Sequence, residues 1–284
     1  MAKRLEGKVV VVTGGGGGIG RAVAVLSASE GAKIVVNDFS RGPDGSSAAD
    51  KTVAEIMGSN SAAAANYDSV TSVAGGEKII KSAIDAFGRV DVLVNCAGND
   101  QRDPNLELSE EDWDRVIDVH LKGHFACAKA AIPHMIKQQG GRIINISSKG
   151  AFFSGSWAYG AAKAGVMGLT ASMARQLAQY GITVNCILPS AVTPLFPHSR
   201  KSSGDGMPVV ADLRPRPESI APIIVYLASD EGKGINGRFF YSSGGDICVY
   251  APPFTMSSAN TFIRKTGEWT VDELSGILPP LAGA

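Results

Sequence analysis

The sequence has little that would draw it to a charged partner. Lysine plus arginine and aspartate plus glutamate number 27 each, so the formal net charge of the 284 residues is zero. Without an excess of either sign, neither nucleic acid nor an anionic membrane surface is an expected partner. The four cysteines, Cys96, Cys127, Cys186 and Cys248, lie far apart with no Cys-x-x-Cys pair. That argues against a disulfide framework and against a zinc site, and suits reduced core residues of a cytoplasmic protein. No apolar run reaches membrane-spanning length, and the opening residues 1–8 run toward a strand without an apolar leader. Internal repeats and low-complexity segments are absent too.

Apolar residues, by contrast, make up 44% of the chain and glycine occurs 34 times. That supports one large α/β domain over residues 1–284. Residues 9–12 are four consecutive valines, the pattern of a strand buried on both faces of a parallel sheet. They enter Thr13-Gly14-Gly-Gly-Gly-Gly18-Ile19-Gly20, after which apolar positions at Ile19, Val23 and Leu26 mark a helix. A glycine-rich turn between strand and helix lets the backbone approach a pyrophosphate, which then rests on the helix N-terminus. A flexible loop would use glycines as well, but the flanking strand and helix favour phosphate.

A second strand over residues 33–37 ends at Asp38, about twenty residues beyond the glycines. A carboxylate there accepts from the ribose hydroxyls of NAD and repels the 2′-phosphate of NADP. Arg41 nearby argues for NADP, and Asp38 carries more weight because it sits at the strand end. Asp68, after a weak strand at 62–66, is either an adenine-binding group or an Asx-turn. Residues 91–95 form another buried strand ending in Asn95-Cys96-Ala97-Gly98, whose small residues let a cofactor cross the sheet edge closely.

Ser109-Glu-Glu-Asp112 reads as a capping box before a long helix from 113 to about 137. Gly123 inside it costs about 1 kcal/mol against alanine, so a distortion or close packing is expected there. His120, on the same helix, reads in isolation as a core histidine.

The chain's chemistry is concentrated at residues 147–163. A strand over 142–148 delivers Ser147 and Ser148, and Tyr159 and Lys163 lie one helical turn apart on a face continued by Val166, Thr170, Met173 and Leu177. A phenol whose ordinary pKa is ~10 becomes a usable base when an ammonium favours its phenolate. Tyr159 would then exchange a proton with an alcohol or carbonyl oxygen, and Ser148 or Ser147 would hold that oxygen. Tyr-x-x-x-Lys alone is also what an amphipathic helix with a snorkelling lysine looks like. Residues 190–217, rich in proline, serine and glycine, are expected to form a substrate lid. Residues 248–284 are expected to be a C-terminal extension.

Taken together, Thr13-Gly14-x-x-x-Gly18-x-Gly20, Asn95-Cys-Ala-Gly98, the Ser-Ser strand end, Tyr159-x-x-x-Lys163 and Asn185 resemble the short-chain dehydrogenase/reductase family over about residues 5–247. The resemblance implies a Rossmann-like, doubly wound sheet of seven parallel strands, helices on both faces, and a homo-oligomer, dimer or tetramer, assembled through the two long helices. It also implies NAD at Gly14, Gly18, Ile19, Gly20, Asp38, Asp68, Asn95, Ala97, Gly98, Tyr159, Lys163 and Thr193, with Ser148, Tyr159, Lys163 and His120 as the catalytic group and no metal. In most of that family an Asn stands at the position of His120 and supports a water behind the lysine; here an imidazole would link Lys163 to solvent.

A narrower likeness links Val35-Val-Asn-Asp38, Val119-His-Leu-Lys-Gly123 and Ala221-Pro-Ile-Ile-Val-Tyr-Leu227 to the (3R)-hydroxyacyl-CoA dehydrogenase modules of multifunctional enzymes. It implies NAD-dependent oxidation of a (3R)-3-hydroxyacyl-CoA. Between Ser148 and Tyr159 the loop is about two positions shorter than usual. With Phe152, Phe153, Trp157 and Phe196 nearby, a hydroxysteroid or a cyclic or aromatic secondary alcohol is the alternative small-molecule substrate. A cofactor-binding regulator without chemistry is the non-enzymatic reading, and the intact Ser, Tyr and Lys oppose it.

Overall fold

β-Branched runs set the architecture, because strands that alternate apolar residues toward two helical layers must be buried on both sides. In the computed structural model, which describes residues 3–153, 155–193, 195 and 215–250, eight strands form one sheet. They are β1 (Val9–Thr13), β2 (Lys33–Asn37), β3 (Ala63–Asn66), β4 (Val92–Asn95), β5 (Gly141–Ile146), β6 (Ile182–Pro189), β7 (Phe239–Ser243) and β8 (Asp246–Tyr250). Their order is β3-β2-β1-β4-β5-β6-β7-β8.

The first seven pair in parallel, as the sequence implied, and β8 adds an antiparallel strand at the edge. The sheet therefore has eight strands and not seven, and residues 248–250 of the expected extension belong to it. By its contacts the chain divides into two units, Met1–Ala251 and Pro252–Ala284. The second unit, most of the expected lid and Phe196 lie outside the described residues.

Alternation along β1 shows how the layers are filled. Val10 and Val12 pack with α1 (Gly18–Ser29), α2 (Ala48–Gly58) and α8 (Ala221–Ala228) on one face. Val9 and Val11 pack on the other face with α3 (Val73–Phe87), α5 (Gly123–Lys137) and α7 (Trp157–Leu177). Burying both sides of the sheet fixes the strand ends as a platform.

The long helix expected over 113–137 is interrupted as Gly123 suggested. It begins as α4 (Glu110–Ile117), widens into a π-helical turn at Asp118–Lys122, and continues as α5. A Cβ at Gly123 would lie 2.8 Å from Val70 Cγ2, so close packing accompanies the distortion. Ser109 caps α4 by accepting from Asp112 N at 3.1 Å, but the Asp112 carboxylate accepts from Arg102 N and Asp103 N and pairs with Arg115. The capping box is thus one-sided.

Sheet order reverses between β1 and β4, opening the crevice where doubly wound sheets bind ligands. Residues in register at this edge are Asn66, Asn37, Thr13, Asn95 and Asn145. Four strands thus end in asparagine or carry one near the end.

Candidate active site

The glycine loop is shaped by contacts that exclude side chains. Gly14 has φ +66° and its Cβ would come within 2.8 Å of Ala97 Cα, so the chain segments after β1 and β4 cross backbone to backbone. Thr13 Oγ1 locks that crossing by accepting from Cys96 N and Ala97 N. A Cβ on Gly20 would meet Gly14 O at 2.1 Å, and Gly18 has φ +50°. Ile19 packs its side chain against the core.

The first turn of α1 carries no acidic side chain, and its N-cap Gly17 supplies no side-chain acceptor. In α2, α3, α4 and α7 a serine caps the corresponding turn: Ser47, Ser72, Ser109 and Ser156. The N–H groups and positive dipole end of α1 are thereby left for an anion, which fits the pyrophosphate of a dinucleotide.

Asp38 stands beside this turn, accepting from Gly16 N at 3.0 Å and from Ser40 N at 2.8 Å. Arg41 turns away and donates to Gly45 O within its own loop. Asp68 closes a network in which Asn37 Nδ2 donates to Asn66 Oδ1 and Asp68 O, and Asn66 Nδ2 donates to Asp68 Oδ2. The Asx-turn here belongs to Asn66, whose Oδ1 accepts from Asp68 N, while the Asp68 carboxylate accepts from Asn66 Nδ2.

Asn95 is directed inward: its Nδ2 donates to Asn145 Oδ1, and Asn145 Nδ2 donates to Thr170 Oγ1. Asn185 bridges Ile235 O and Arg238 N. Thr193 is half-buried beyond the end of β6. Asn37, Asn66 and Asn145 were not singled out as site residues from sequence, although the recurrence of asparagine at the ends of apolar runs marks them.

Ser148, Tyr159 and Lys163 converge at the end of β5. Tyr159 and Lys163 are both buried on α7, with the lysine Nζ 5.7 Å from the phenol ring centroid. Ser148 is half-buried, its Oγ accepts from Gly150 N at 2.9 Å, and it hydrogen-bonds Tyr159. Ser147 is otherwise engaged: its buried hydroxyl donates to Lys163 O at 2.8 Å. Of the two serines, only Ser148 is thus bonded to Tyr159.

The expected lowering of the tyrosine by the lysine is not what dominates here. Burial pushes Tyr159 up to about 12, only partly opposed by the Ser148 hydrogen bond. Burial likewise lowers Lys163 to about 8, and its Nζ donates to Ile146 O at 2.7 Å. Desolvation wins because both groups lie in the sheet–helix interface, where either charge is costly.

His120 packs edge-on against Tyr159, ring centroids 5.1 Å apart. Its Nε2 lies 3.0 Å from Asn99 N and 2.6 Å from Asn99 O, so these bonds tie it to that backbone. Gly98 makes room, since a Cβ there would meet His120 Cε1 at 2.6 Å. Burial drives His120 down to about 3, leaving it neutral. Among the described residues no cluster of potential metal ligands occurs and no helix is long and apolar enough to cross a membrane.

This geometry agrees with three comparisons. The family model "short chain dehydrogenase" matches residues 8–203. Peroxisomal multifunctional enzyme type 2 of Drosophila melanogaster is 42% identical over 248 residues, covering 85% of this chain and 40% of that protein, so the chain spans well under half of that relative's length. A hydroxy(phenyl)methylsuccinyl-CoA dehydrogenase subunit of Thauera aromatica is 34% identical over 256 residues, 85% of this chain and 97% of its own. A crystal structure of a short chain dehydrogenase from Mycobacterium avium superposes with a TM-score of 0.84 at 37% identity, covering 99% of this chain and 96% of that one. A glycine loop on an uncapped helix, a Ser/Tyr/Lys group at the switch-point edge, and matches over most of the length lead to one conclusion: the chain belongs to the short chain dehydrogenase family, oxidoreductases that bind a nicotinamide dinucleotide.

Proposed function

We propose that this protein interconverts a secondary alcohol and a ketone with NAD, the alcohol being a (3R)-3-hydroxyacyl-CoA. The observation that carries the reaction type is the buried Tyr159, bonded to Ser148 and stacked one turn from Lys163. Ser148 orients the substrate oxygen, and Tyr159 accepts its proton in oxidation and returns it in reduction. Lys163 supports the phenolate and holds the cofactor's ribose, while His120 buttresses the tyrosine ring. When bound, the dinucleotide supplies the hydride acceptor. Asp38 favours NAD over NADP, because a fixed carboxylate repels a 2′-phosphate and Arg41 is committed to its own turn.

The thioester is favoured by the likeness to the multifunctional enzymes and by the Thauera relative, whose name joins a hydroxyl group to a CoA ester. The second reading, an aromatic or polycyclic alcohol, draws on the exposed Phe152 and Trp157 beside the site. A dimer or tetramer joined through the two long helices, the interrupted one formed by α4 and α5, where Trp113 and Phe125 are exposed, and α7, belongs to the same proposal.

The test is NADH formation at mildly alkaline pH with a (3R)-hydroxyacyl-CoA beside a hydroxysteroid and cyclic and aromatic secondary alcohols. Turnover of the thioester alone supports the proposal; turnover of free alcohols alone rejects the CoA assignment. Tyr159→Phe is expected to keep cofactor affinity and lose ~10³-fold or more in kcat. Because Tyr159 is held protonated by burial, oxidation by the native protein is expected to accelerate as pH rises from neutrality. A pH-independent rate, or activity retained by the Phe variant, rejects Tyr159 as the base.

A further inference from the structure

The first turn of α7, which carries Tyr159, is closed by side chains from two separate parts of the chain. Trp157 N donates to Asn105 Oδ1 at 2.9 Å, Ala158 N to Gln101 Oε1 at 3.1 Å, and Tyr159 N to Ser156 Oγ at 3.3 Å. The fourth amide, Gly160 N, already reaches Ser156 O. A helix start normally leaves such N–H groups to water, to one cap or to a ligand. Here three consecutive donors each meet a different side chain, and two of those come from residues more than fifty positions away.

The two distant amides are themselves joined. Gln101 Nε2 donates to Asp103 O at 2.8 Å and to Asn105 Oδ1 at 2.9 Å, while its Oε1 also accepts from Ser156 Oγ at 2.6 Å. Asn105 Nδ2 in turn donates to Gly155 O. Gln101 thus makes four hydrogen bonds, which is all that its two protons and two lone pairs allow. A fully satisfied amide pair of this kind has one low-energy arrangement, in which two bonds brace the 101–105 segment and the other four reach residues 155–158, next to Tyr159.

We propose that Gln101 and Asn105 form an amide clip that fixes the position of Tyr159 relative to Ser148, making both of them positioning residues for the proton transfer. The clip joins the segment after β4, which reaches the cofactor crevice at Gly98, to the loop between Ser148 and Tyr159. The shortened loop is thereby held without a longer run of its own. The role of Tyr159 in this inference rests on the proposed function; the structural clip does not.

Among the described residues, the titratable and polar groups that face Tyr159 include Ser148, the neutral His120 edge, Lys163 and Cys96, while the four hydrogen bonds of Gln101 go to Asp103, Asn105, Ser156 and Ala158. Loss of the clip therefore acts through the tyrosine's position. An error of about 1 Å at a reacting group costs roughly 100-fold in rate.

The experiment compares the native protein with Gln101→Ala, Gln101→Glu and Asn105→Ala by hydrogen exchange of the peptide covering residues 156–163, by kcat and KM on the best panel substrate, and by cofactor affinity. In Gln101→Ala and Asn105→Ala the peptide is expected to exchange roughly fivefold faster while the rest of the sheet is unaltered. With this, kcat is expected to fall by ~30–100-fold, cofactor affinity to stay within about twofold, and the acid limb of the pH profile to move up as the Ser148 bond to Tyr159 weakens. Gln101→Glu keeps the acceptor for Ala158 N and Ser156 and is expected to recover about tenfold of the kcat that Gln101→Ala loses.

Unchanged exchange in both alanine variants overturns the clip. Faster exchange with an unchanged kcat and pH profile overturns the positioning role. If the native protein turned over no alcohol on the panel, the proposed function would fall, while the exchange comparison would still decide whether the clip exists.

Discussion

Two helix N-termini face the crevice at the strand ends, and they are finished in opposite ways. The first turn of α1 has a glycine N-cap with no side-chain acceptor. The first turn of α7 has acceptors from Asn105, Gln101 and Ser156 on successive amides. Both begin with the same deficit of unpaired N–H groups and the same partial positive charge. At α1 the deficit is kept, so the helix end itself is the binding group for an anion. At α7 the deficit is removed internally, and what the helix offers is a side chain in a fixed place. Binding a flexible pyrophosphate calls for open donors; proton transfer calls for a phenol that does not move.

The largest effect expected from testing this contrast is at the tyrosine end. Ser148 is bonded to Tyr159, whereas Ser147 is spent on Lys163 O. Ser148→Ala is therefore expected to lower kcat by ~100-fold or more with cofactor affinity retained. Ser147→Ala is expected to lose mainly stability, about 1 kcal/mol, for one buried hydrogen bond, the Lys163 carbonyl keeping its place in the α7 backbone ladder. Steady-state kinetics beside thermal unfolding separates the two; a larger kcat loss in Ser147→Ala would reverse the assignment.

A smaller effect is expected from closing the open end. Gly17 has φ −160° and ψ 172°, extended backbone that any residue adopts, and a Cβ there would meet nothing within 4 Å. Gly17→Asp would place a capping carboxylate on the free amides. The helix is expected to gain up to about 1 kcal/mol, and cofactor affinity to weaken at least ~10-fold because the anion site is filled by the protein's own charge. Calorimetric binding titration checks it, and unweakened affinity would mean that the α1 amides are not the pyrophosphate site.

The sequence makes the α1 end plain and the α7 end only half so. Consecutive valines, glycines and helical periodicity are local signals, and together they mark the strand, the phosphate turn and the helix, whereas the crossing of Gly14 over Ala97 depends on the pairing of β1 with β4. Tyr159 and Lys163 are equally local, one turn apart on one helix. Proximity of an ammonium is readable from spacing, whereas the burial of both groups, which raises the tyrosine and lowers the lysine, depends on β5, β6 and the π-helical turn packing around them. Asn95 shows the same limit: its place at a strand end is legible, but its inward bond to Asn145 depends on pairing with a strand fifty residues on. The clip at Gln101 and Asn105 has no periodicity at all, since it joins two irregular segments through single amides. The antiparallel β8 did leave a mark that went unused, the Gly244-Gly245 pair between two short runs, with Gly244 at φ +54°.

The smallest effect expected is also the calibration for the rest. Ser72 caps α3 by accepting from Gly75 N at 3.0 Å, at an exposed position away from Tyr159 and from the glycine loop. Ser72→Ala removes one cap and nothing else, so it is expected to cost about 1 kcal/mol in unfolding free energy, with kcat and cofactor affinity unchanged. If Gln101→Ala loses similar stability but far more rate, the closed end of α7 serves placement of the tyrosine. If the two variants lose rate and stability alike, a helix cap is all that closure provides, and the contrast between the two helix ends is one of stability alone.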